Sequence, residues 1–494
     1  STGTLSSADG NTGVGIGVLG ALTTGDNNVA VGLNALDVNT TGEENVALGS
    51  NAMLDNTTGS RNIAIGRRSL QENTTAEGNT AVGNSAMQNN TTASNNTAVG
   101  SIALDANTTG ASNTAIGTCA LTSNTTAANN VAVGFESLCK NTTGTSNTAL
   151  GKGSLKATLT TSENTGVGTN SLNGNTGGCN TGVGSSALEN VTGSNNTAVG
   201  RRALYLNNTG ACNTAVGHSS LTDNTTGGRN VALGFQALDN NTTASFNTAL
   251  GAQSLFTNTT GTNNTAVGLQ ALYANTTGGY NTALGYASLV ANTTGENNVA
   301  IGKGAGTDNT TGTRNTFVGG GYALGNGANN TTGNDNSFFG VDAGGTNTTA
   351  SNNTAIGASA LKVNTTGTSL TAVGNDALSC NTTANDNTAV GRLALFKNTT
   401  GASNTAVGRG SMLCNTTGCG LVAVGSSALD ANTTGENNVG VGFNALSSNT
   451  TASANVAIGE SSQSATTTGA QNVTVGNSSG IANTTGASNV FIGH

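Results

Sequence analysis

The groups in this chain that could carry chemistry are asparagine amides, threonine hydroxyls and a few thiols. Asn-Thr-Thr recurs along the sequence, at Asn39, Asn56, Asn73, Asn90, Asn107, Asn124 and Asn141 among others. Asn-x-Ser/Thr is the acceptor pattern for an N-linked glycan, and a sugar at each site would coat one edge of the molecule. The same spacing fits a ladder of amide side chains that satisfies corner hydrogen bonds and carries no sugar. Seven cysteines, Cys119, Cys139, Cys179, Cys212, Cys380, Cys414 and Cys419, include no Cys-x-x-Cys. They do not share one phase, so they read as small variants at tolerant positions and leave the redox compartment open. His218 and His494 are far apart in sequence and have no metal-like neighbours. Acidic residues such as Glu43, Glu44 and Asp55 fall at variable positions and read as solvated. Gly151-Lys152-Gly153 is a by-product of glycine richness and not a phosphate loop. No catalytic constellation, cofactor motif or metal-ligand spacing emerges, and the chain reads as non-enzymatic.

These groups are positioned by a unit of 17 residues. Asn45 to Arg61 shows it, and Asn62 starts it again. Counted from that Asn, position 2 is Thr or Val, 3 is Ala, 4 is Val, Ile or Leu, and 5 is Gly. Positions 8 and 9 are usually Ala-Leu or Ser-Leu, and 12 to 15 are Asn-Thr-Thr followed by Gly or Ala. The position-5 glycine marks the phase from Gly15 through Gly32, Gly49 and Gly66 to Gly493. So strict a period means one supersecondary unit stacked many times, and residues 1–494 are expected to form a single continuous array. Two turns, ending at Gly184 and Gly200, are short. The main departure is 302–345, with extra glycines, an insertion and the aromatics Phe317, Phe338 and Phe339. Insertions in solenoids map to loops on one face, which makes this segment a candidate contact site.

Composition narrows the function classes. Of 494 residues, 74 are Gly and none is Pro or Trp; only 8% are charged, and the net charge is −8. Nothing here supplies the basic stripe that nucleic acid requires. No apolar run is long enough to span a membrane, and no basic and apolar leader is present. Ser1 to His494 therefore reads as a processed product or a part of something longer.

The repeat is a strand unit. Positions 2 and 4 are β-branched or aliphatic on either side of Ala, which is strand alternation. Glycine-rich corners and Asn-Thr-Thr disfavour helix. The expected fold is all-β: a parallel β-solenoid (β-roll) of about 29 coils spaced about 4.8 Å apart. Val82, Val99 and Val133 then stack in one rank, and Leu104, Leu121 and Leu138 in another. Position 3 lies on the opposite strand face from 2 and 4, yet is almost always Ala. A solvent-facing site would vary, so a uniformly small residue there predicts close packing of another chain through Ala81, Ala98 and Ala215. The alternative is that position 3 faces inward in a very thin coil.

Asn-Val-Ala-Val-Gly at 28–32, Asn-Ile-Ala-Ile-Gly at 62–66 and Asn-Val-Ala-Ile-Gly at 455–459 resemble the head repeats of YadA-type trimeric autotransporter adhesins. Asn-Thr-Ala-Val-Gly with Ala-Leu and Asn-Thr-Thr-Gly also resembles repeats of phage tail-fibre-like proteins. The resemblance implies a left-handed parallel β-roll, homotrimeric, at a cell surface, outside the cell or on a virion.

The expected function is structural: an extracellular fibre, filament or adhesive shaft built by self-association, as a homotrimer or by end-to-end stacking of strand edges. Two further expectations follow. Stacked threonines at positions 13 and 14 offer one outward hydroxyl rank for ice or another ordered surface. A receptor-binding fibre shaft would engage a cell-surface glycan or receptor through the irregular segment near Phe317 to Asn347.

Overall fold

In a computed structural model the chain is a parallel β-solenoid. The structure describes residues 8–320, 327 and 329–494. Among them are 29 strands of three residues and no helix. Each strand is positions 2 to 4 of one repeat, as in Val46–Leu48, Ile63–Ile65 and Thr80–Val82. Residues 321–326 and 328 of the irregular segment, where the insertion falls, lie outside the described residues.

Contacts divide the chain into two compact units, Ser1–Ala244 and Ser245–His494. In the first, strands from Thr12–Val14 to Val231–Leu233 pair in parallel with like positions opposed: Thr97 faces Thr114, Ala98 faces Ala115 and Val99 faces Ile116. The second, from Thr248–Leu250 to Val490–Ile492, follows the same rule, with Thr371 opposite Thr388.

Glycine at position 5 ends each strand for a reason visible in its backbone. Its φ lies between 125° and 143° throughout, a region closed to residues with a side chain. A Cβ on Gly100 would also stand 2.6 Å from the Gly117 carbonyl oxygen of the next coil. The following corner places non-glycine residues in the left-handed region, including Cys119 (φ 59°) and Leu121 (φ 49°). That conformation costs about 1–2 kcal/mol per residue. Complete burial of a leucine at position 9, worth about 1.5–3 kcal/mol, offsets it there.

The strand alternates in the opposite sense to the expected packing. Ala81, Ala98 and Ala215 are fully buried inside their own coil, together with Leu104, Leu121 and Leu138. Positions 2 and 4 face outward: Val99 is 36% exposed and Ile116 is 40% exposed. Position-3 alanine is small because the coil is thin. The position-9 leucine and two asparagine amides already fill the interior, and only a methyl group fits between them. Packing of another chain against Ala81, Ala98 or Ala215 is therefore ruled out by their enclosure.

Candidate association face and the amide ladders

Position-12 asparagines, including Asn39, Asn56, Asn73, Asn90, Asn107, Asn124 and Asn141, are fully buried. Asn56 Nδ2 donates to Asn39 Oδ1 of the preceding coil at 2.9 Å and to the Gly59 carbonyl of its own coil at 3.0 Å. Asn73 repeats both contacts, to Asn56 Oδ1 and the Ala76 carbonyl. Position-1 asparagines form a second ladder. The Asn45 backbone N–H donates to Asn28 Oδ1 at 3.0 Å, while Asn45 Nδ2 donates to the Gly59 carbonyl at 2.9 Å. Two amides thus converge on one position-15 carbonyl in each coil, and their oxygens link that coil to the next. Buried polar groups must be paired, and this arrangement pairs them. The amide-ladder reading of Asn-Thr-Thr is the one the fold adopts. Glycan attachment at these seven residues is incompatible with it, because each Nδ2 is enclosed and already donating.

The two threonines after each ladder asparagine divide their roles. Thr57 Oγ1 donates to the Thr74 carbonyl of the next coil at 2.9 Å, whereas Thr58 is exposed. One hydroxyl rank, that of position 14, therefore faces solvent.

Phe317 and Phe338 are core residues, not contact residues. Both are fully buried at position 3, with ring centroids 6.0 Å apart. Their bulk is accommodated by glycine at position 9, where most other coils carry leucine or methionine. A Cβ on Gly306 would lie 2.6 Å from Phe317 Cδ2, and one on Gly327 would meet both rings. Gly344 lies against Phe338 in the same way. Phe491 repeats the exchange against Gly480. Phe339, at position 4, faces outward and is 38% exposed. Phenylalanine at position 3 occurs where the preceding coil has glycine at position 9, and that pairing was the signal in the sequence that both positions share one core.

The remaining polar groups do not converge. His218 is exposed and stacks on Phe235 with centroids 5.6 Å apart. Arg314 holds the Asp335 carboxyl below its usual range, and burial pushes Asp105 and Asp430 up. Among the described residues, no group of three or more His, Cys, Asp or Glu is placed to hold a metal ion, and no helix is long and apolar enough to cross a membrane.

What the coils do hold in common is the outer strand face. In each unit it carries Thr, Val or Ile at position 2 and an aliphatic at position 4, with Ser337 and Phe339 as variants. Side chains repeat along it in register, as Val82, Val99 and Ile116 do. No charged residue occupies either position in any of the 29 strands. No protein-family model matches the chain, and no curated protein matches its sequence.

Proposed function

We propose that the chain is a structural protein that self-associates through the outer strand face to build an extracellular fibre or shaft. The observation that carries this reading is an uncharged, predominantly apolar face repeated in every coil. Contiguous exposed apolar surface of this extent is rare on soluble monomers and marks an interaction site. A partner must match a flat face with a period of about 4.8 Å, and a second copy of this chain has that period by construction. Association of copies about a shared axis removes the position-4 side chains from water. A homotrimer is the arrangement that the resemblance to adhesin head repeats implies.

The test is the oligomeric state of the purified chain, read by sedimentation and light scattering. The wild type is expected above single-chain mass, and the triple variant Ile65→Lys, Val82→Lys, Val99→Lys is expected to dissociate while keeping its far-ultraviolet spectrum. Lysine at outward positions has room, so the coil survives the change. A wild type that stays monomeric at every concentration sinks the proposal.

A second reading rests on the same face. Thr80, Thr97 and Thr114 form a hydroxyl rank beside the aliphatic rank of Val82, Val99 and Ile116. Such a two-rank lattice fits an ordered surface such as ice, and thermal hysteresis in a concentrated solution is its measure. A freezing point equal to the melting point ends that reading.

A further inference from the structure

The corner after each strand brings together two positions that the sequence keeps apart. A residue at position 10 of one coil lies beside position 7 of the coil before it. Lys156 Nζ reaches Glu136 Oε2 across this offset at 2.6 Å, and Lys362 Nζ reaches Asp342 Oδ2 at 3.3 Å. The contact does not depend on a long side chain. Thr122, at position 10, donates from Oγ1 to the position-7 carbonyl of Ile102 at 3.1 Å. One coil later, the two places are held by Cys139 and Cys119. Cys139 occupies the same repeat position as Thr122, and Cys119 the same position as Ile102. Both cysteines are free and half-buried. Burial pushes the Cys139 thiol up, and the nearby Cys119 acts in the same direction.

We propose that Cys119 and Cys139 form a reversible disulfide that staples two neighbouring coils. The oxidant is a small-molecule disulfide such as oxidised glutathione. One protein thiolate attacks it, its S–S bond breaks, a mixed disulfide forms and one glutathione leaves as the thiol. The second protein thiolate attacks the protein sulfur of that mixed disulfide, forming the Cys119–Cys139 bond and releasing a second reduced glutathione. Two protein thiols are oxidised, one disulfide is reduced, and the two thiol protons end on the two released glutathiones. The staple sits on the corner, away from the amide ladders and the outer strand face, so it locks the coils without altering either.

The experiment uses the full chain, incubated with oxidised glutathione, quenched by acid, and mapped by mass spectrometry of peptides kept unreduced. A peptide pair joining Cys119 to Cys139 within one chain is expected, with two of the seven thiols lost together and recovered by dithiothreitol. In at least one of the variants Cys119→Ser and Cys139→Ser, the remaining cysteine is expected to accumulate the glutathione adduct that the wild type resolves. Two outcomes overturn the proposal. In one, Cys119 and Cys139 carry separate glutathiones in the wild type. In the other, both stay reduced while the exposed Cys179 and Cys212 react.

Discussion

Asn141 and Thr158 mark the place where one amide ladder is cut. In regular coils the Oδ1 of a position-12 asparagine accepts from the next coil, but the residue above Asn141 is Thr158, which has no amide. Asn141 Oδ1 and Thr158 Oγ1 are both buried without a hydrogen-bond partner. An unmet buried acceptor costs about 1–3 kcal/mol, more than the net gain from an ordinary hydrogen bond. Thr158→Asn should restore the rung and raise the unfolding free energy by about 1 kcal/mol, read from a denaturant midpoint. An unchanged or lower midpoint would show that the orphaned oxygen is already solvated. The same logic applies above Asn449, whose Oδ1 is also unpartnered and whose successor is Thr466.

The coil as an element is a two-residue packing problem. Position 3 and position 9 share one small volume, filled most often as Ala with Leu and, in the irregular segment, as Phe with Gly. Phe338→Ala alone leaves a cavity and should cost about 3–5 kcal/mol. Gly344→Leu alone drives a side chain into the Phe338 ring and should prevent that coil from closing. The double variant recreates the common pair, and leucine at position 9 tolerates the left-handed backbone elsewhere, so most of the lost stability should return. Additive losses in the two single variants and the double would refute a shared volume. This exchange also explains what could and could not be read from the sequence. Strand positions, coil period and in-phase stacking were legible because Gly100, Gly117 and their equivalents punctuate the chain at fixed spacing. The inner face of the strand was not. Val-Ala-Val alternation defines two faces without saying which is enclosed, and coil thickness decides that. Thickness depends on the left-handed backbone at Leu121 and its equivalents, a conformation that leucine rarely adopts and that no propensity announces. The Asn-Thr-Thr motif was legible as a choice between ladder and glycan, and burial made the choice.

Charge is sparse in this protein, so its response to pH should come from a few desolvated carboxyls. Burial raises Asp55, Asp105, Asp223 and Asp430 above the ordinary value of 3.8; Glu72 adds to the effect at Asp105, and Asp239 adds to it at Asp223. Asp105 Oδ1 has no hydrogen-bond partner that would favour the ionised form. A raised folded value means that the folded chain binds protons more tightly than the unfolded one in the window above 3.8. Stability therefore falls as pH rises through that window and is greater on its acid side. Arg314 shifts Asp335 the other way, but that pair is in water and contributes little. The thermal midpoint should be higher at about pH 4.5 than at neutrality, with Asp105→Asn reducing the difference. Ordinary acid destabilisation over the same interval would contradict this assignment.

The register of the sheet has a consequence for how such a gene can change. Within either unit, each coil meets its neighbours through the same positions, so removing or duplicating one whole repeat joins surfaces that already fit. A frame-preserving gain or loss of 17 codons exchanges one set of ladder partners for an equivalent set, whereas losing a single codon from a strand reverses its inner and outer faces. The number of coils can thus change in whole steps while the register of the sheet is kept.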